Sequence, residues 1–274
     1  MMKPLIAAGL LTGVLCGAHV MAAQTAASPA PPSAGSPPNV VLLVHQQFLP
    51  GKAGERERLE LETCRKFDEF AIPIPWIEME AVTGTPGALF FDPANSFDEV
   101  DRAGQLLSEM YGAHPELAQL QNGIEELIAS SKTVFARRRE DLGNLVDRMD
   151  LSKAHYWRIT VVNMRPGRDN DFVEADKARV RAQRDTPWVV YEVDSGTTLP
   201  TFLVIETLRS FADADRKPES TSAANKGQKD RDQVVKDAYL SVESNLYGVH
   251  PEMSHVSKPF AAGEPEFWSP APAK

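Results

Sequence analysis

The stretch VLLVHQQFLPGKAGERERLELETCRKF (41–67) decides the fold, because WRITVVNMRPGRDNDFVEADKARVRAQ (157–183) repeats its plan. Each runs from a strand-forming apolar segment through Pro-Gly and a base into a charged segment of helical character. Pro50-Gly51-Lys52 pairs with Pro166-Gly167-Arg168 at an offset of 116. Pro75-Trp76 then pairs with Pro187-Trp188, and Gly84 with Gly196, at 112. Ser96-Phe97 pairs with Ser210-Phe211, and Asp101-Arg102 with Asp215-Arg216, at 114. Collinear matches whose offsets drift by only four residues point to an internal repeat. A six-residue likeness, YGAHPE (111–116) against YGVHPE (247–252), sits at an offset of 136 and would demand a 22-residue insertion in the second copy. It is set aside for a register near 112, which places Val134-Phe135 on Leu246-Tyr247.

Outward from this repeat the elements follow. Residues 40–49 read as a strand. Residues 55–70 read as a helix, with Leu59, Thr63, Phe67 and Phe70 on one face of a 3.6-residue period. Residues 76–82 and 88–92 form a strand pair about the Gly84-Thr85-Pro86-Gly87 turn. Residues 97–110 and 115–130 read as helix, Pro115 suiting a first turn, and 133–137 as a final strand. The second copy repeats the order at 156–164, 172–183, 188–194, 202–207, 233–242 (helix) and 245–249, with a polar surface loop at 217–231. Each unit is thus βαββαβ, the ferredoxin-like order. Helices cover one face of such a sheet, and the other copy is the obvious cover for its bare face. The fold class expected is α+β: two ferredoxin-like units closed into one intramolecular, pseudo-twofold barrel.

This layout, with a Pro-Gly-Lys/Arg step after the first strand, resembles the dimeric α/β-barrel superfamily, which includes antibiotic-biosynthesis monooxygenase-like and NIPSNAP-like domains. The resemblance spans residues 40–255 and rests on element order. It implies a barrel and, among activities, a cofactor-independent oxygenase. Some barrels of the superfamily bind haem, but no histidine here stands out as an axial ligand.

Residues 1–23 read as a secretory signal peptide, with Lys3, a short apolar run and small residues near Ala22-Ala23 for cleavage. The run is too short for a spanning helix. Residues 24–38 (QTAASPAPPSAGSPP) read as a flexible linker, 39–150 as the first repeat, 151–257 as the second and 258–274 as a tail. Phe260 and Trp268 of that tail could strap onto the barrel. The net charge of −9 repels phosphate backbones, and Arg137-Arg138-Arg139, followed at once by Glu140 and Asp141, reads as a solvated strand end. Nucleic acid is therefore not an expected partner. Only Cys64 outlives signal removal, so no intramolecular disulfide can form, and its place beside Phe67 suggests a buried, inert thiol.

No metal is expected, because no two histidines outside the signal have a metal-binding spacing; His250 and His255 are five apart, with Glu252 between them. Signatures for a nucleophile elbow, a phosphate loop or a dinucleotide fold are missing. What remains is polar residues inside strands. His45 and Gln47 share one face of the first strand, where the second copy has Val161 and Asn163. Glu78 and Glu80 share a face with Trp76, and Glu192 shares one with Trp188. Two readings stand: these residues meet solvent or stitch the sheets together, or they line a cavity with Trp76, Trp157, Trp188 and Tyr191. The functions considered are binding of a small apolar ligand, an oxygenase-type enzyme with His45 as general base, and a non-catalytic interaction module. No cofactor is implied by any motif.

Overall fold

A computed structural model describes residues 35–183, 185–214 and 237–269; the signal segment, most of the linker and the 217–231 loop lie outside the described residues. Eight strands, β1 (Val40–Phe48), β2 (Ile77–Ala81), β3 (Ala88–Ala94), β4 (Ile128–Arg138), β5 (Tyr156–Met164), β6 (Val189–Ser195), β7 (Thr201–Leu208) and β8 (Tyr239–Val249), form a closed antiparallel barrel. Its order is β1-β3-β2-β8-β5-β7-β6-β4. The first four strands and the last four therefore run in the same internal order, joined by β2–β8 and β4–β6. Helices α1 (Ala53–Glu69), α2 (Phe97–Ala113), α3 (Pro115–Glu125) and α4 (Asp169–Ala182) lie outside. Among the described residues, closure leaves no unpaired sheet edge.

Local chemistry explains the elements. The Pro-Gly-base steps turn from β1 into α1 and from β5 into α4 through Gly51 (φ 76°) and Gly167 (φ 78°), a left-handed conformation open chiefly to glycine. The Ser96 hydroxyl caps α2 by accepting from the Glu99 N–H at 3.2 Å, and the Glu99 carboxylate accepts from the Asn95 N–H at 2.7 Å, a variant of the capping box. Pro115 opens α3, where its missing N–H is harmless.

Two expected helices are corrected. Residues 128–130 belong to β4, and 239–242 to β8. In isolation both polar runs suit a helix. In the barrel their backbones pair with β1 (Gln47 with Ser130) and β5 (Asn163 with Ser241), and that ladder outweighs a weak local preference. The YGxHPE likeness is not structural: Tyr111 is in α2 and Tyr247 in β8. The Val134-Phe135 equivalence slips by one, since Phe135 faces Leu42 as Leu246 faces Arg158.

The barrel interior is filled by Val41, Leu43, Met79, Phe91, Trp157, Ile159, Tyr191, Leu203 and Ile205, with Trp157 set edge-on to Phe91 at 4.8 Å. Separate apolar clusters lie between sheet and helices: Phe172, Trp188 and Phe202 with neighbours from α4, and Phe67, Ile72 and Leu117 from α1 and α3. One barrel end is sealed. Met149, Leu151 and Ala154 from the connection between the halves join the interior cluster, together with Phe260 and Trp268 of the tail. The tail thus straps on through Phe260 and Trp268, as expected, with Phe267 packed against the same cluster. Gly35 to Pro38, assigned to the linker on composition, also pack here: Pro38 O accepts from the Tyr191 hydroxyl at 3.0 Å and Gly35 O from Leu151 N–H at 2.7 Å. The Trp268 indole donates to Ser152 O at 2.6 Å in a buried contact. Trp268→Phe keeps most of the packing and orphans that carbonyl, so urea unfolding should show a loss of about 1 kcal/mol.

Candidate functional site

At the opposite end the inner-face positions are polar and meet solvent: Lys132 and Glu243 are exposed, and His45, Gln47 and Asn163 are partly so. Side chains alternate along a strand. Val41 and Leu43 lie in the interior, so His45 and Gln47 follow them on the inner face toward this open mouth. Lys132 of β4 lies across from His45, and Glu243 of β8 across from Val161. Asn163 continues the inner face of β5: its Nδ2 donates to Ser241 Oγ at 2.7 Å, and its Oδ1 accepts from Thr201 Oγ1 at 2.6 Å. Lys132 Nζ donates to Thr197 Oγ1 at 3.1 Å, and Asn245 Nδ2 to Glu243 Oε1 at 2.7 Å. The mouth is a polar ring above an apolar interior.

His45 is the imidazole of that ring. Burial lowers its pKa below the ordinary value; Glu243 opposes the shift and Lys132 adds to it. Near neutral pH the ring is therefore neutral and can accept a proton. Gly87, at the end of the β2–β3 turn, makes room for it: a Cβ there would stand 3.2 Å from His45 Nε2.

The other candidates divide by strand face. Trp157 and Tyr191 point into the barrel and are fully buried. Trp76, Glu80, Trp188 and Glu192 lie on the outer face beneath or beside the helices, so the expectation that they line one cavity with the inner residues does not hold. The Trp76 ring packs against Phe67 at 4.9 Å and its indole donates to Met253 O at 2.9 Å. The Trp188 indole donates to Asp176 at 2.8 Å, under the Arg179 guanidinium. Glu80 pairs with Arg56 at 2.7 Å and Glu192 with Arg139 at 2.7 Å. These are stitching contacts. Lys132 and Glu243 were missed because each falls between an expected helix (115–130, 233–242) and an expected strand (133–137, 245–249); only the strand ladders bring them to the mouth. Burial pushes the Cys64 thiol up to about 12, the state of an unreactive cysteine.

A haem is not accommodated by these residues. The barrel interior is filled, and most of the other histidines are engaged. His155 holds Glu264 at 3.1 Å, His114 stacks on Phe70 at 3.8 Å, and His255 contacts Ile74 O at 2.8 Å. His250 sits 3.5 Å from both Glu80 and Glu252. Among the described residues no helix is long and apolar enough to cross a membrane.

No protein-family model matches the chain, and no curated protein matches it in sequence. Solved structures do. A candidate monooxygenase from Lactobacillus acidophilus superposes with a TM-score of 0.50 at 8% identity, over 80% of this chain and 96% of that one. A second candidate monooxygenase, from Fusobacterium nucleatum, gives 0.49 at 11% identity over 77% and 93%. An anthrone oxidase-like protein gives 0.49 at 18% identity over 80% and 93%. The likeness is one of fold. The α+β class and the closed eight-stranded barrel expected from the resemblance are what the chain adopts.

Proposed function

We propose that this chain is an exported protein, built as a tandem duplication of a ferredoxin-like unit, that binds a small molecule at the His45 mouth of its barrel. The observation that carries the reading is His45 itself: a half-buried neutral imidazole on the inner face of the open end, between Lys132 and Glu243. The sealed opposite end and apolar interior support entry from this side only. A small ligand would rest its apolar part on Val161 and Val134 and its polar group on the ring, the usual composition of a small-molecule site.

The duplication is supported by strand registers. Equivalent pairings relate β1 to β5 at an offset of 116 (His45 with Leu89, Val161 with Leu203) and β2 to β6 at 112 (Met79 with Leu89, Tyr191 with Leu203). Export is supported by the leader-like first 23 residues.

An oxygenase-type activity is the second reading. It is favoured by the neutral His45, which can take a proton from an electron-rich substrate, and by the monooxygenase name of the Lactobacillus structure.

Native mass spectrometry of the protein taken from its own extracytoplasmic compartment tests the first reading. A co-purifying small molecule should be present in the wild type and at least about tenfold depleted in His45→Ala. A bare polypeptide mass, or a ligand retained in full by His45→Ala, overturns the assignment. For the second reading, oxygen uptake with the recovered molecule should vanish in His45→Ala, and unchanged turnover ends it.

A further inference from the structure

The mouth of the barrel has a regular frame and an irregular charge. Gln47 on β1 pairs with Ser130 on β4, and Asn163 on β5 with Ser241 on β8, so both halves carry an amide beside a serine at the outermost inner-face positions. One layer deeper the halves differ. His45 pairs with Lys132 at the place where Val161 pairs with Glu243. A cation in one half therefore stands where the other half has a carboxylate.

The strand order sets these charges on facing walls. β4 and β8 are four strands apart whichever way the eight-stranded ring is followed, so Lys132 and Glu243 stand across the mouth from each other. β1 and β5 are likewise four apart, which puts His45 opposite Val161 on the crossing axis. Barrels of eight strands are wide enough to hold one small ligand between such walls. Below the charges Val134 and Val161 are partly buried and give an apolar floor.

Neither charge is neutralised. Lys132 Nζ donates to the Thr197 hydroxyl at 3.1 Å and Glu243 Oε1 accepts from the Asn245 amide at 2.7 Å, both neutral partners. Among the described residues neither has an ion-pair partner. Arginines on the outer face of the same sheet do hold acids: Arg158 holds Glu206 at 2.9 Å and Arg137 holds Asp194 at 2.7 Å. His45 lies within electrostatic reach of both Lys132 and Glu243, and no described group hydrogen-bonds to its ring. A molecule with a single charge would meet one matching wall and one repelling wall. One that carries a carboxylate and an ammonium at its two ends matches both, and a neutral imidazole nitrogen can accept from the ammonium as well.

We propose that the ligand of the His45 mouth is a small zwitterion of the ω-amino acid class. Its carboxylate rests on Lys132, its ammonium on Glu243 and His45, and its methylene chain on Val134 and Val161. This rests on the reading of the mouth as a small-molecule site and names the class of molecule that the site takes. The charges are solvated, so the affinity is weak, with a dissociation constant on the order of 1 mM.

The test uses the full chain at low ionic strength and saturation-transfer NMR with 4-aminobutanoate, 5-aminopentanoate and 6-aminohexanoate, set against hexanoate and pentylamine. At least one ω-amino acid should bind saturably, with both singly charged molecules about tenfold weaker or more. Lys132→Met should bring its preference over pentylamine close to one, and Glu243→Gln its preference over hexanoate. A general loss of fold would weaken every molecule and leave these ratios without that crossed pattern. The zwitterion is overturned if no ω-amino acid binds, if a singly charged molecule binds as tightly, or if either preference survives its substitution. Hexanoate or pentylamine binding that is lost in His45→Ala would keep the mouth as a site and remove the zwitterion. Binding of an ω-amino acid that survives Lys132→Met, Glu243→Gln and His45→Ala alike would remove the mouth as well.

Discussion

Replacing Glu78 by alanine should destabilise the protein by about 3–5 kcal/mol in urea unfolding, more than any surface carboxylate. Glu78 is wholly buried on the outer face of β2, and its carboxylate pairs with Arg56 of α1, whose side chain is 3% exposed. Phe48 lies under the Arg56 guanidinium at 4.6 Å, and Glu80 holds its Nη1 at 2.7 Å. The alanine variant strands much of a guanidinium charge between sheet and helix, with the half-exposed Glu80 as its remaining ion-pair contact and Glu60 nearby on the same helix. Truncating one member of a buried pair is costly because the other stays desolvated; removing both need not be. Arg56→Met combined with Glu78→Leu should therefore recover to within about 1–2 kcal/mol of wild type. A double variant as unstable as Glu78→Ala would mean that the loss comes from packing. The pair would then not be the cause.

The same layer shows what could be read before the structure and what could not. The likeness of the two halves is legible because it is carried by backbone punctuation. Gly51 and Gly167 share a left-handed φ, and Trp76 and Trp188 precede strands at the same place in each half, so the spacing of these residues matches. Strand faces were harder. Alternation says that Trp76, Glu78 and Glu80 lie together, but not whether that face meets the barrel interior or a helix; both surfaces are partly apolar and each tolerates a tryptophan. Only closure of the barrel settles it, by committing Ile77 and Met79 to the inside. His45 was legible as the polar residue at a position where the other half has Val161. Its partners Lys132 and Glu243 were not, because each lies in a polar run whose strand character comes wholly from the neighbouring ladder.

Raising the pH from 5 to 8 should weaken the fold, and Glu60 should account for about 3 kcal/mol of that loss. Burial in α1 pushes its carboxyl from 4.5 up to about 7, against the opposing pull of Arg56. The groups that sense it are Arg56 and Cys64 on the same helix and Tyr111 of α2. Between pH 4.5 and 7 the folded state holds a proton that the unfolded state has released, so stability falls with rising pH across that window and is flat above it. Asp92, raised to about 7 by burial alone, acts in the same direction, so the wild-type slope contains both. Glu60→Gln isolates one of them. It should be neutral at pH 4.5 and stabilise by about 3 kcal/mol at pH 8, read from urea midpoints at the two pH values. Equal effects at both would assign the change to packing and remove Glu60 from the titration. The acid at the corresponding place in the other half has different partners. Asp176 of α4 accepts from the Gly143 N–H and the Trp188 indole N–H, each at 2.8 Å. In the first half the matching indole, that of Trp76, is given to Met253 O instead, and Glu60 is left to burial and Arg56.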